Sequence, residues 1–348
     1  MAKLISVIGA SAFVVGFAFG QTGWSQTAPS PLSTYREKTE DINWDFSTEY
    51  LSTSIPARTA VVFSERLDRL SRGRIKIVHH FGGTLGYRSR DQLAAVGSGD
   101  LPLADSFLGA LGDEEPLFAL PSIPFLATNI DQAEALWRSA LPYMENAFAA
   151  RGQKLLYATP WTPDGLWTKG PIDNLQRFQG LAVRTFDTTS ANVFAALGAQ
   201  PTPLAWADLN ARIESGGLEA VLTSAEAGVN ARLWRNFNTF IPLDSVIPLN
   251  VMHLNAARFN ALPPDLQKAV LDAAKTASDF AWKTARERSA QNLRDMSANG
   301  VNLILPPAEL HDALLDVGGR ALDEWLVKVG PNGQTLIDAY RLNLNRRR

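Results

Sequence analysis

From Asp41 onward the apolar positions switch repeatedly between two periods. Trp44 to Tyr50 alternates as a strand does. Pro56 to Arg72 then carries Ala60, Phe63, Leu67 and Leu70 at the three- and four-residue spacing of one helical face, and Gly73 stops it. Arg74 to His80 reads as a strand, Ser89 and Gln92 have capping-box spacing before a helix ending near Gly97 and Gly99, and Leu101 to Phe107 returns as a strand. The alternation recurs with strands at Lys154 to Thr159, Leu181 to Thr185 and Leu218 to Thr223, and helices at Thr189 to Leu197 and Trp206 to Ser215. This pattern predicts an α/β protein with helices covering mostly parallel sheets.

One segment sets the architecture. Pro263 and Pro264 open a run to Asn299 without internal Gly or Pro, carrying Leu266, Val270, Ala273, Ala277, Phe280 and Leu293 at helical spacing. At about 1.5 Å per residue such a helix extends roughly 50 Å, more than one small domain needs, so it predicts a strut shared by two domains. The expected division is 38–161 plus 250–289 for the first domain and 162–249 plus 290–340 for the second.

Composition narrows the chemistry. With 33 basic and 35 acidic residues among 348, there is no basic excess to track phosphates, which argues against a nucleic-acid partner. The absence of cysteine removes disulfides, thiol nucleophiles and thiolate metal sites. Lys3 followed by the nearly uncharged run Leu4 to Phe19, with small residues at Ala18, Gly20, Gly23 and Ser25, reads as a signal peptide over residues 1–25, cleaved after Ser25 in preference to Gly20. The run is shorter than the roughly 20 residues a spanning helix needs. The mature chain is therefore expected to be soluble and periplasmic.

Five stretches taken together carry a family resemblance: FSERLDRLSRGRIKIVHHFGGTLG from Phe63, LPSIPFL from Leu120, GLAVRTFD from Gly180, LGAQPTPLAWADL from Leu197 and GGLEAVLTS from Gly216. Their order and spacing resemble the periplasmic solute-binding component of tripartite ATP-independent periplasmic (TRAP) transporters, of the dicarboxylate-binding type. The resemblance implies a two-domain binding protein with a central cleft and a long helix spanning both domains. It also implies capture of an organic anion, delivery to a small and a large membrane subunit, and no cofactor, metal or catalysis.

In that family an arginine in the motif matching GLAVRTFD binds the ligand carboxylate, which places the role on Arg184. A guanidinium fork gives two parallel charge-assisted hydrogen bonds to a carboxylate, which a lysine does not. The aromatic after the family's PTP turn falls on Trp206, and its polar position falls on Thr223 or Ser224. Where many members carry a second arginine, this chain reads Asp164-Gly165-Leu166-Trp167-Thr168-Lys169, and a hydroxyl replaces an amide near Thr223. Lys169 is a candidate second cation. Trp161, Trp167 and Trp206 suggest more aromatic surface than a small dicarboxylate requires, which brings in aromatic or keto-substituted monocarboxylates. On the first domain Tyr87, Arg88 and Ser106 are candidate contacts.

Catalytic readings find little support. His79 and His80 are neighbours on a strand and point to opposite faces, and neither His253 nor His311 completes a metal-ligand spacing. There is no Gly-x-Ser-x-Gly elbow, and Asp113-Glu114-Glu115 reads as a solvated loop. A periplasmic sensor feeding a receptor kinase, or a secreted hydrolase, stands as the alternative.

Overall fold

In a computed structural model describing residues 41–345, the chain builds one sheet, crosses to a second, and returns. The signal peptide expected over residues 1–25 lies outside the described residues. The first passage comprises β1 (Ile42–Thr48), α1 (Ile55–Ser71), β2 (Ile75–His80), α2 (Ser89–Ser98), β3 (Leu103–Phe107), α3 (Ile130–Ala149) and β4 (Gln153–Pro160). The second comprises β5 (Asp164–Thr168), β6 (Ala182–Thr185), α4 (Thr188–Ala196), β7 (Gln200–Pro203), α5 (Leu209–Glu214), β8 (Ala220–Ser224), α6 (Ala225–Asn230) and β9 (Thr239–Pro242). β10 (Leu249–Asn255) goes back to the first sheet, followed by α7 (Ala256–Asn260), α8 (Pro264–Ala298), β11 (Asn302–Leu303), α9 (Ala308–Val329) and α10 (Pro331–Asn345).

The sheet orders are β2-β1-β3-β10-β4 and β11-β9-β5-β8-β6-β7. Both are mixed: five strand pairings are parallel and four antiparallel, so the parallel majority expected from the pattern is a narrow one. β10 runs antiparallel to β3 and β4, and β5 antiparallel to β8 and β9. These two strands enter directly from the other sheet and have no crossover helix to turn them parallel. The central strands are buried on both faces, so they read as apolar runs rather than alternations.

α1 forms where the spacing predicts it. Ser54 accepts a hydrogen bond from the Ala57 amide at its start, and Arg72 adopts a left-handed conformation at its end. Its Phe63 and Leu67 are fully buried against Leu266, Val270 and Ala273 of α8, each such burial contributing about 1.5–3 kcal/mol. α8 packs on α1 and β4 in the first lobe, and on α6 and β11 in the second. Its register differs from the sequence pattern at the far end. Leu293 is exposed, while Asn292 is buried and donates to Thr162 Oγ1 (3.3 Å).

Trp161 to Pro163 and Leu243 to Pro248 cross between the lobes side by side, joined by Trp161 N to Pro248 O (2.9 Å) and Asp164 N to Val246 O (3.2 Å). The buried Asp164 carboxylate accepts from the Ser245 and Val246 amides and from Ser245 Oγ, tying the second crossing to the first. α10 packs on α3, with Leu336, Ile337 and Tyr340 in the first lobe's core, although residues to 340 were expected in the second domain. The apolar face of α3 supplies the burial that draws it back.

Candidate ligand-binding site

A cavity of about 310 Å³ lies between the lobes. Its walls come from the carboxyl ends of strands and the turns after them: Glu49 and Tyr50 after β1, Phe107 at the end of β3, Arg184 and Phe186 at the end of β6, Thr223 and Ser224 at the end of β8. This is where α/β sheets present their binding surfaces. Trp161 on the crossing and Trp206 after β7 add aromatic surface to the lining.

Arg184 is 3% exposed. Its Nε and Nη2 donate to Leu204 O (3.0 and 2.8 Å) and its Nη1 to Leu222 O (3.0 Å). A guanidinium has five N–H donors, so two remain after these three bonds. No carboxylate among the described residues lies within ion-pairing distance of it; Glu49 and Asp187 act only from farther away. Burial lowers its pKa to about 10, opposed by the nearby Tyr50, Glu49 and Asp187, so it keeps its charge at neutral pH. The result is a buried cation, oriented by backbone carbonyls and lacking a counter-ion, on the wall of a cavity.

The Arg184 guanidinium also sits 5.7 Å from the Trp206 ring centroid. Trp206 is tilted against Tyr50 (6.1 Å between centroids), and Tyr50 against Trp161 (4.8 Å). Trp161 is set by a chain of bonds: its Nε1 donates to Asn250 Oδ1 (2.8 Å), and Asn250 Nδ2 donates to Asp105 Oδ2 (2.6 Å), which also accepts from Thr48 Oγ1 (3.0 Å). Burial raises the Asp105 pKa to about 7.

The lobes touch across the cleft mouth. Arg88 Nε lies 3.2 Å from both Asp208 carboxylate oxygens, and Nη2 lies 2.5 Å from Oδ1. Ala207 N donates to Glu49 Oε2 (3.2 Å), Thr188 Oγ1 to Asp113 Oδ2 (2.9 Å), and Phe107 meets Phe186 edge-on at 5.6 Å. Gly83 backs on to Ala207 with φ of 71°, so a side chain there would be strained by the backbone conformation. The conformation is closed.

Of the residues singled out in the sequence, Arg184, Trp161, Trp206, Thr223, Ser224 and Arg88 line the cavity. Arg88 is already engaged by Asp208, and Ser224 Oγ caps α6 by accepting from the Ala227 amide (3.1 Å), which leaves its O–H free to donate. The other four are elsewhere. Trp167 is fully buried beside Phe240 and Gly228 in the second lobe's core. Lys169 is exposed just beyond β5, at the end opposite Asp164 and the crossing. Ser106 bonds Gln92 and His253 beneath α2, and Tyr87 packs on the small cluster around Val96. The expected Ser89 cap is displaced: Asp91 accepts from Arg88 N at the helix start, while Ser89 bonds Glu49 and accepts from Phe107 N. Glu49, Tyr50, Phe107 and Phe186 were not anticipated: Glu49 and Tyr50 follow β1 and Phe107 ends β3 with no motif around them, and Phe186 lies within the GLAVRTFD stretch, where only the arginine was given a role.

Residues 46–325 match the family described as DctP, bacterial extracellular solute-binding protein, family 7. The chain belongs to this family. As a family 7 protein it is similar to the 2,3-diketo-L-gulonate-binding periplasmic protein YiaO of Escherichia coli, 24% identical over 303 residues that cover 84% of this chain and 90% of the relative. Among solved structures it resembles DctP6, a Bordetella pertussis extracytoplasmic solute receptor binding pyroglutamic acid, with 30% identity and a TM-score of 0.83 over 86% of this chain and 99% of that one. DctP7 from the same organism, also described as binding pyroglutamic acid, gives 28% identity and a TM-score of 0.83 with the same coverage. The family 7 protein is thus the solute-binding component of a TRAP transporter and not an enzyme. No helix among the described residues is long and apolar enough to cross a membrane.

Proposed function

We propose that this periplasmic protein captures a compact carboxylate whose acid group is held by Arg184, and presents it to the TRAP membrane subunits in the closed form. The observation that carries the reading is the buried Arg184, fixed by Leu204 and Leu222 carbonyls with two donors unused and no counter-ion. Leaving a charge buried without a partner is costly, and an entering carboxylate removes that cost while gaining charge-assisted bonds. Trp206, Tyr50 and Trp161 cover the ligand body, and the Thr223 and Ser224 hydroxyls serve its remaining oxygens. A cavity of about 310 Å³ suits a ligand the size of pyroglutamate, the acid bound by the two Bordetella receptors.

Closure follows from bridging. A ligand touching both lobes binds the closed state better than the open one and shifts the population toward it. The test is calorimetric titration of the mature chain with a panel of small carboxylates and their methyl esters. Acids should bind and esters should not; an ester that binds as tightly as its acid overturns the anchor role.

A further inference from the structure

Arg184 has a counterpart on the opposite wall. Glu49 is buried and lines the same cavity. Its Oε1 accepts from the Ser89 amide (3.1 Å) and Ser89 Oγ, and its Oε2 from the Ala207 amide (3.2 Å). Every partner is a donor, and no basic group among the described residues lies within 4 Å of it. A carboxylate has about four lone-pair sites, so these three bonds leave one on Oε2. The other buried acid on the lining, Asp187, faces elsewhere: Oδ1 caps α4 through Ser190, and Oδ2, without a hydrogen-bond partner among the described residues, is turned toward Gly109 and Ser122. One small cavity therefore holds an uncompensated cation and an uncompensated carboxylate that form no ion pair with each other. A ligand that satisfies both carries an acid and, separate from it, a hydrogen-bond donor.

We propose that Glu49 is the specificity-determining residue of this cavity, accepting a hydrogen bond from a ligand N–H distinct from the carboxylate that Arg184 holds, so that the protein selects lactam or amino carboxylates and rejects dicarboxylates. This rests on the Arg184 anchor. A second carboxylate would face Glu49 with like charge at short range and low dielectric. An ether or ester oxygen in place of the N–H would leave the Glu49 oxygen unpaired and set two acceptors against each other. The lobe contact makes the selection conformational as well, because the Ala207 amide reaches Glu49 Oε2 only when the lobes are closed.

The experiment uses a pair differing at one ring atom, L-pyroglutamate against 5-oxotetrahydrofuran-2-carboxylate, and a second pair in which the amine also brings a positive charge, L-proline against tetrahydrofuran-2-carboxylate, with glutarate as the dicarboxylate. The N–H member of at least one pair should bind ten-fold or more tighter than its oxygen analogue, and glutarate should bind more weakly than either N–H acid. Glu49→Gln, with folding checked by circular dichroism, should bring that ratio to within about three-fold. Equal affinity within both pairs, preferred binding of glutarate, or no binding by either N–H acid overturns the inference. Failure of the anchor is read separately: it would appear as ester binding or as unchanged affinity in Arg184→Ala, whichever way the pairs behave.

Discussion

The two walls of the cleft are built on different principles. The second-lobe wall comes from three neighbouring strands, β6, β7 and β8, whose backbone carbonyls at Leu204 and Leu222 grip Arg184. Those carbonyls do not titrate and cannot be removed by side-chain substitution. The first-lobe wall is assembled from single residues after β1, at the start of α2 and on the crossing, held by side chains: Glu49 by Ser89, and Trp161 by Asn250 and Asp105. The difference separates a stable anchor for the part shared by all carboxylates from a replaceable surface for the part that distinguishes them.

The largest expected effect comes from breaking the anchor. Arg184→Ala should weaken the ligand found in the carboxylate titrations by at least two or three orders of magnitude, since a carboxylate left buried without its partner costs several kcal/mol. Arg184→Lys should also fail, less severely, because an ammonium cannot make both carbonyl bonds and a forked pair to the ligand. Calorimetry on both variants checks this; an Ala variant within about five-fold of the native chain would place the anchor on another group.

A smaller loss is expected at the aromatic junction. Trp206 is half-buried and touches both Arg184 and Tyr50, so Trp206→Ala should cost roughly ten-fold in affinity while the melting temperature stays nearly unchanged. A variant that binds normally but melts early would make Trp206 a packing residue of the second lobe.

These walls also differ in how much of them is legible in the sequence. The alternation of strands and helices and the long α8 are readable because burial imposes a period on them. Arg184, Trp206, Thr223 and Ser224 are readable because they sit in contiguous motifs ending adjacent strands. Trp167 and Lys169 lie in a strand too, but periodicity does not give strand direction. β5 is antiparallel to β8, so its Lys169 end points away from the cleft, about 16 Å from Asp164 at roughly 3.3 Å per residue. Glu49 becomes visible only when the fold brings Ser89 and Ala207 to it from 40 and 158 residues away.

The pH response should distinguish the walls next. Burial raises Asp105 to about 7, so between roughly pH 4 and 7 the folded chain holds a proton that the unfolded chain has lost. That contribution is complete below pH 4 and falls away as pH rises through 7. Asp105→Asn keeps the shape and removes the titration, so it should raise the melting temperature at pH 8 relative to the native chain and have little effect near pH 5. The buried His253, held down to about 3, acts in the opposite direction as pH falls below 6.5 and is common to both proteins. A native-minus-variant difference that does not change with pH would show that Asp105 is not the titrating support of this wall.

The smallest effect is expected where the walls meet at the solvent. Arg88 and Asp208 are bidentate in outline, and the pairing holds Asp208 below and Arg88 above its ordinary range. Yet their side chains are 33% and 41% exposed, where water and salt screen most of the attraction. The pair also exists only between closed lobes, so whatever it contributes is felt as a bias toward closure rather than as a ligand contact. Arg88→Ala should therefore weaken binding by less than about five-fold, mostly through faster release, with the difference shrinking between 50 mM and 500 mM salt. Stopped-flow release measured at both salt concentrations decides it. A loss comparable to Arg184→Ala, insensitive to salt, would mean that Arg88 abandons Asp208 for the ligand and that the first-lobe wall supplies an anchor of its own.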